Sequence, residues 1–398
     1  MSIGTSEDEA ARTLEAAKAL APQIRAAANV IEQSRRLAPA IVQSMKEAGI
    51  FRMAQPHAWG GPELSLPAQV RVIEELAYAD GSVGWCAMIN IDGGYLGAFI
   101  DQDVAHEMYR DLDAPTAASL IFTGRAVKVD GGYRVSGRWP FASGCQHCEW
   151  IGLTCALSDS SGNPILDERE RQQLLMCMLP ISAGEILDTW HTTGLRGSGS
   201  NDFAASGIFV PAERVSDFPP RQIRRPGPLY AFPMLFGYKL PGVTIGIARA
   251  AIDAFVELAR KKFVTSGMLT GRKTLLCDEP YLQSAVGQAE ALIGGARSYI
   301  YDRIGEIWNT LAAGNRLTIQ QRARYRLAVL QGHANCLSAV ELLYKAYGGA
   351  AVYASGPLDR ALRDLHTVNQ HTMNSPKIYE TAGRVLMGLD PRPGDALL

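Results

Sequence analysis

The sequence predicts an α+β protein in which a β-domain separates an N-terminal helical domain from a C-terminal bundle of four helices. Three observations favour this order. Helix-forming residues with apolar positions three or four apart fill residues 1–115. Short β-type runs separated by glycine-containing turns follow in residues 116–220. Long apolar stripes at helical spacing return in residues 221–398. We therefore expect three domains with these boundaries.

The N-terminal domain shows clear helix starts and stops. Residues 10–31 are rich in Ala, Glu, Lys and Leu, and residues 39–48 form a second helical pattern that ends at Gly49. Ser65 precedes a third pattern and is its expected N-cap. Asp80, Gly81 and Ser82 end that third helix before another apolar segment.

The β-domain is marked by a turn, Asp130-Gly131-Gly132, between two β-type runs, which predicts a hairpin. Residues 150–156 and 174–179 are buried-strand candidates, and residues 207–210 are the last expected strand. A linker rich in proline and arginine, residues 218–228, leads to the bundle. Its helices are expected from residue 241, over 282–307, over 319–347 and from 357 towards His371.

Composition and charge exclude several classes of protein. Lys and Arg number 39 and Asp and Glu 40, so the formal net charge of −1 argues against a nucleic-acid partner. The seven cysteines, several in apolar runs, are expected to be free thiols in a reducing cytoplasm. The first twenty residues lack the apolar core of a signal peptide, and no apolar run has the length of a membrane span. We expect a cytoplasmic protein.

Several common site motifs are absent from the sequence. Neither a dinucleotide-binding nor a P-loop glycine pattern occurs, and HExxH and GxSxG are missing. Cys145 and Cys148 form a CxxC with no second ligand pair at suitable spacing, so no metal is expected.

A set of landmarks in a fixed order carries a family resemblance. The chain resembles the acyl-CoA dehydrogenase fold, and within it the flavin-dependent monooxygenases, which include the oxygenase components of two-component aromatic hydroxylases of the 4-hydroxyphenylacetate type and the dibenzothiophene-type enzymes. The landmarks are the segments 47–52, 74–77, 80–85, 137–144 and 194–200, with Arg363, Asp364 and His371.

The resemblance implies a flavin site where the β-domain meets the helices. Its Trp-containing loop corresponds here to Trp139, and Ser143 would contact the reacting edge of the flavin as a catalytic and cofactor-binding hydroxyl. From the residues alone, a strand-end turn is the preferred interpretation of Ser143, and only the resemblance favours the flavin role. The further expected flavin-binding residues are Arg196, Ser198, Arg260, Phe263, Gly348 and Gly349. A basic last turn of a helix is the alternative interpretation for Arg260.

His371 stands where the dehydrogenases have their catalytic carboxylate, after Arg363 and Asp364. Imidazole titrates near neutrality and can move a proton in either direction. The resemblance implies that His371 assists formation of a flavin hydroperoxide or deprotonates a phenolic substrate. A histidine satisfied within the bundle is the alternative. His366 is a weaker candidate because it lies on another helical face.

The function that follows from the resemblance is that of an oxygenase component. It would take reduced FMN or FAD from a separate NAD(P)H-dependent flavin reductase, use O₂, and hydroxylate a small phenol- or indole-like substrate. Trp85, Phe122 and Phe236 are the weak candidates for the substrate pocket, and a homotetramer is expected. The alternative is an FAD-dependent acyl-CoA dehydrogenase with Glu380 as its base; a non-catalytic helical scaffold is a third possibility.

Overall fold

The N-terminal region of the computed structural model, which describes residues 6–232, 234–266 and 272–392, is helical as expected. Ser65 accepts a hydrogen bond from the Ala68 backbone and so caps the third helix, which confirms its predicted role. Pro at the first or second helical position favours the starts of the second and third helices. The helices are α1 (Ser6–Ser34), α2 (Pro39–Glu47), α3 (Leu66–Ala79), α4 (Gly81–Asn90), α5 (Gly93–Leu96) and α6 (Gln102–Met108).

The middle region forms a seven-stranded sheet in the order β5-β6-β2-β1-β3-β4-β7. Every pairing is antiparallel except β1 with β3. The predicted hairpin is confirmed, since Val129 pairs with Gly132. The last strand is not residues 207–210, which lie within β6, but the short β7. The strands are β1 (Thr116–Val129), β2 (Gly132–Ala142), β3 (Trp150–Ser158), β4 (Leu174–Pro180), β5 (Glu185–Leu187), β6 (Asn201–Pro211) and β7 (Val215–Asp217).

The C-terminal region contains the four expected long helices. A short antiparallel ribbon that the sequence did not predict follows the first of them, and Phe263 begins its first strand. The predicted stripe from Leu282 to Ile307 is buried at nearly every position. The elements are α7 (Leu240–Lys261), β8 (Phe263–Ser266), β9 (Arg272–Leu275), α8 (Pro280–Ala312), α9 (Ile319–Tyr347), α10 (Pro357–Asn369) and α11 (Lys377–Leu386).

One hydrophobic core runs through both helical regions, and a second core fills the β-domain. Helices α3 and α7 approach closely because α7 carries glycines at the crossing: a Cβ on Gly242 would lie 2.7 Å from the Val70 carbonyl oxygen, and one on Gly246 would overlap the Glu74 carbonyl. Met176 and Met178 of β4 belong to the helical core, so this strand seals the junction between sheet and helices.

Within the part of the chain that the structure describes, the helices are all too short or too polar to span a bilayer.

Candidate functional site

Helix α4 and the end of β2 bring Trp85 and Ser143 together. Asp80 starts α4 by accepting hydrogen bonds from the backbone N–H groups of Ser82 and Val83, at 2.9 and 3.1 Å. Trp85, just over one turn later, donates its indole N–H to the Ser143 hydroxyl at 3.0 Å. Both side chains are buried. The N-terminal helices and the β-domain therefore meet at this hydrogen bond.

Ser143 is the first member of a chain of three buried hydroxyl groups. Its Oγ lies 2.7 Å from Ser200 Oγ, which lies 2.8 Å from Ser198 Oγ. A hydroxyl donates one hydrogen bond and accepts two. Because Trp85 already donates to Ser143, the proton of Ser143 is available either to Ser200 or to a ligand. The predicted glycine-rich segment thus lies beside Ser143 and offers its hydroxyl a hydrogen-bond partner in Ser200.

An amide and an imidazole hold the backbone turn that carries Ser143. Asn90 donates its side-chain N–H to the Ser143 carbonyl at 3.0 Å, and its Oδ1 lies 2.9 Å from Nε2 of His147. Burial lowers the pKa of His147 to about 4, so its ring is neutral at pH 7. The position of His147 two residues after Cys145 carries no sequence signal of this contact.

His371 lies in the turn after α10 and contacts the same indole. The imidazole meets the Trp85 ring edge-on, with ring centroids 5.7 Å apart and an angle of 75°. Its Nδ1 accepts a hydrogen bond from the Met373 backbone N–H at 3.3 Å. A neutral ring whose Nδ1 accepts carries its proton on Nε2. Trp85 therefore connects the two residues that were predicted to be catalytic.

The environment of His371 lowers its pKa below neutrality, contrary to the expectation from the sequence. Burial lowers the pKa of His371 to about 4, and the charge of Arg326 acts in the same direction. His333 lies nearby on α9, and burial lowers its pKa to about 3; its Nδ1 is 2.5 Å from Thr244 Oγ1. Both imidazoles are neutral at pH 7, so the site presents uncharged nitrogen groups.

Asp364 ties α10 to the glycine-rich segment. Its Oδ1 accepts a hydrogen bond of 2.6 Å from the backbone N–H of Leu195, whose φ of 47° is left-handed. Burial, together with the nearby carboxylate of Asp80, raises the pKa of Asp364 to about 7. The neighbouring Arg363 binds Glu32 of α1 and the Thr193 carbonyl, each at 2.6 Å. This motif therefore positions the loop that leads to Ser198 and Ser200.

The structure places Trp139 in the core of the β-domain. Its indole is completely buried and donates to the Thr154 carbonyl at 2.8 Å. The close approach of the ring to β1 requires glycine at position 124. The expectation that Trp139 contacts the flavin is corrected here, because its ring packs inside the core of the β-domain.

Phe141 is the aromatic residue of this segment that faces outwards. Its side chain is 55% exposed, its φ is 62°, and its ring meets Trp190 edge-on at 6.2 Å. A positive φ is strained for a bulky residue, and such strain concentrates at functional sites. Sequence reasoning missed Phe141, although it stands two residues before Ser143.

The predicted pocket residues Trp85, Phe122 and Phe236 differ in their surroundings. Phe236 belongs to the helical core, where its ring meets that of Tyr95 edge-on at 6.5 Å. Phe122 is 57% exposed, because an irregularity in the β1–β3 pairing between Ser119 and Gly124 turns residues 120–122 outwards. Of the three, Trp85 contacts both Ser143 and His371. A substrate role for Phe122 and Phe236 stays a prediction.

The other predicted cofactor residues divide into two groups. Arg196 donates to the backbone carbonyls of Thr192 and Glu32, at 3.0 and 3.3 Å, and so joins the glycine-rich segment to α1. Arg260 lines a surface groove of about 570 Å³ between α7 and α8, and Phe263 is exposed just beyond it.

Gly348 and Gly349 lie at the same end of the bundle as the Arg260 region. Lys262 places its Nζ 4.5 Å from the centre of the Tyr347 ring, and Phe255 meets that ring at 6.0 Å. A Cβ on either glycine would meet nothing within 4 Å, so their backbone is open to an approaching molecule. Gly348 and Gly349 therefore belong to a surface of the chain and are not part of the group formed by Trp85, Ser143 and His371.

Glu380, the base of the alternative function, is not part of the group formed by Trp85, Ser143 and His371. It is exposed on α11 and its carboxylate pairs with Arg392. His366 is also exposed, with its Nε2 3.5 Å from Glu341. The structure therefore brings neither side chain to Ser143 or His371.

Comparison with known proteins decides the family. The description "Acyl-CoA dehydrogenase, N-terminal domain" matches residues 6–103, and "Acyl-CoA dehydrogenase, C-terminal domain" matches residues 240–376. A pigment production hydroxylase of Rhodococcus erythropolis is 31% identical over 392 residues, covering 95% of this chain and 97% of the relative. The chain belongs to the acyl-CoA dehydrogenase family.

Further relatives specify the branch of the family. The oxygenase component of an FADH₂-dependent resorcinol hydroxylase from a Rhizobium strain is 28% identical, covering 94% of this chain and 93% of the relative. The crystal structure of a 3-HSA hydroxylase from Rhodococcus sp. RHA1 superimposes with a TM-score of 0.86 at 27% identity, over 96% of this chain and 98% of that one. The chain is a member of the flavin-dependent monooxygenase branch, which confirms the resemblance and the predicted fold.

Proposed function

We propose that this protein is the oxygenase component of a two-component flavin-dependent monooxygenase. It takes reduced FMN or FAD from a separate NAD(P)H-dependent flavin reductase and uses O₂ to hydroxylate a small phenol- or indole-like substrate. The observation that carries the proposal is the joint contact of Trp85 with Ser143, at 3.0 Å, and with His371, at 5.7 Å between rings.

The residues around Ser143 suit a flavin, which is a flat apolar ring with one polar edge. Ser119 and Thr123 donate hydrogen bonds to β2 carbonyls, at 2.7 and 2.6 Å, and so hold the exposed apolar bulge at residues 120–122 against the strand that ends near Phe141. Apolar surface beside a few fixed polar groups is typical of cofactor sites. The Ser143 hydroxyl would hold the polar edge. The bound reduced flavin supplies the electrons for O₂ reduction.

Ser143 and His371 have distinct roles in this proposal. The hydroxyl of Ser143, fixed by Trp85, turns its proton towards the flavin when Ser200 donates to it, and away when Ser200 accepts. His371 is neutral and holds its proton on Nε2, so it donates a hydrogen bond to an oxygen that gains negative charge. The structure thus supports a proton-donor role for the resting imidazole more than a base role.

The assembly and location of the protein belong to the same proposal. Large apolar side chains are exposed near the end of the bundle that carries Gly348 and Arg260, among them Val352, Tyr353 and Phe263. A homotetramer would cover such surfaces, and sedimentation velocity tests this. A reducing cytoplasm suits the seven unpaired cysteines, six of which are buried.

Product analysis under single-turnover conditions tests the activity. The purified protein is mixed with FMN or FAD reduced in the absence of air, then with ¹⁸O₂ and a panel of phenols, indoles and aromatic acids. We expect one product that gains one ¹⁸O atom without any nicotinamide in the mixture. Release of hydrogen peroxide alone across the panel, or bleaching of a bound FAD by an acyl-CoA, would contradict the proposal.

A further inference from the structure

Arg326 of α9 is joined to His371 through a single residue, Met373. The guanidinium donates from Nη2 to the Met373 carbonyl at 2.8 Å and from Nη1 to its Sδ at 2.7 Å. The backbone N–H of the same Met373 donates to Nδ1 of His371 at 3.3 Å. Arg326 therefore holds Met373 by two contacts, and Met373 in turn donates a hydrogen bond to the imidazole.

The burial of Arg326 needs a functional explanation. Its side chain has no exposed surface, no carboxylate in the described ranges forms an ion pair with it, and its Nε has no hydrogen-bond partner there. The tyrosines beside it, Tyr238 and Tyr325, are neutral because burial raises the pKa of both phenols. A buried cation without a counter-ion is costly, and an apolar residue would satisfy packing at lower free energy.

We propose that Arg326 is a positioning residue for His371. By holding Met373 in place, Arg326 keeps the Met373 N–H on Nδ1 and so keeps the imidazole proton on Nε2, the nitrogen left for a ligand. The inference rests on the role proposed above for His371.

The other groups that face His371 do not select its tautomer. Trp85 of α4 offers its ring, and His333 of α9 is neutral with its Nδ1 beside Thr244 of α7. Neither group contributes a carboxylate that would select the opposite tautomer or favour the charged ring. Burial and the nearby guanidinium both lower the pKa of His371, which agrees with the geometry.

Nitrogen NMR of histidine-labelled protein, without flavin or substrate, tests the inference. The chain has seven histidines, and the His371→Ala variant assigns the relevant signals. In the parent protein we expect one neutral tautomer, with the proton on Nε2. In Arg326→Gln we expect both tautomers, and a titration midpoint that rises but stays below the ordinary value, because burial remains. Arg324→Gln, which removes an exposed arginine of the same helix, is the matched control.

A second variant separates orientation from charge. Arg326→Lys keeps a positive charge but has no planar fork to bridge the carbonyl and the sulfur of Met373. We expect it to mix the tautomers while the titration midpoint stays low, and it carries the test if circular dichroism shows Arg326→Gln to be unfolded. Parent-like His371 spectra in the folded variants would overturn the inference. Because no turnover is involved, this outcome is independent of whether the protein oxygenates any compound.

Discussion

Trp85 donates its indole N–H to the hydroxyl of Ser143 at 3.0 Å and thereby sets what that hydroxyl can offer a ligand. The serine receives one hydrogen bond from the indole and keeps its own proton for Ser200 or for a bound molecule. The same indole supports the His371 ring on another side. A single side chain of α4 thus orients groups from the β-domain and from the C-terminal region.

Removal of the indole N–H should weaken coupling between flavin oxidation and product formation. Trp85→Phe keeps an aromatic ring against His371 but removes the hydrogen bond to Ser143. One such bond contributes about 1 kcal/mol, so we expect the ratio of product to hydrogen peroxide to fall about fivefold. Trp150→Phe is the control, since it removes a similar bond of 3.0 Å to the Met108 carbonyl. Equal ratios in the two variants would argue against the assigned role of Trp85.

Loss of the imidazole should slow product formation by about a hundredfold, the lower range for a group that handles a proton. His371→Ala is compared with His366→Ala, which removes an exposed histidine beside Glu341. Because the pKa of His371 is about 4, the neutral ring prevails above that pH, and the parent rate should be flat from pH 6 to 8. Rapid mixing of the reduced protein–flavin complex with O₂ and substrate measures both the rate lost in the variant and the pH profile of the parent. An inflection near pH 6.5 that disappears in His371→Ala would show that the pKa is not lowered.

Phe141→Gly should stabilise the protein or leave its stability unchanged while it weakens flavin binding. Glycine relieves the strain of a φ of 62°, which costs about 1–2 kcal/mol for a residue with a Cβ, and pays about 0.5–1 kcal/mol in chain entropy. Phe209→Gly on the neighbouring β6, where the ring is also exposed, should destabilise by about 1 kcal/mol. Urea unfolding and anaerobic titration with reduced flavin give the two quantities. A large loss of stability in Phe141→Gly would show that the phenyl ring packs within the fold.

Asp364→Asn should stabilise the protein more at high pH than at low pH. The pKa of Asp364 is about 7 in the folded state and near 3.9 when unfolded, so the folded state holds a proton between these values. The stability gained from that proton is present below pH 4 and is lost as the pH rises through 7. Asparagine keeps an acceptor for the Leu195 N–H and does not titrate. Between pH 5 and 8 the variant should gain about 2–3 kcal/mol relative to the parent.

Urea unfolding at both pH values checks this, with Glu168→Gln, an exposed carboxylate, as the control. The same difference at pH 5 and pH 8 would mean that Asp364 is ionised throughout.

The fold followed from sequence because its signals are periodic and local. Ser65 marks a helix start, Asp80 to Ser82 mark a helix end, Asp130 to Gly132 mark a turn, and the stripe of α8 repeats over many turns. The β8–β9 ribbon was missed because its strands have only four residues each.

The site followed only in part, since its remaining features depend on tertiary contacts. Ser143 and His371 stood at recognisable places, and the structure joins them through Trp85. The prediction chose Trp139 where the structure exposes Phe141. The difference depends on which face of β2 each side chain takes, and the pairing of β2 with β6 is irregular between Trp139 and Ala142. Arg326 in a helix is normally a surface residue, so nothing in the sequence predicted its burial.

The glycine-mediated contact of α3 with α7 has a practical meaning for dissecting the molecule. Because the two helical regions share one core, a chain cut in the linker at residues 218–228 should yield fragments that recombine, as complementing halves, and that are unsuited to separate study. The outer loop at residues 159–173, by contrast, is attached to β3 and β4 with mostly exposed side chains. That loop is the natural place to insert a label or a tether to a reductase, because it takes no part in the core that the two helical regions share.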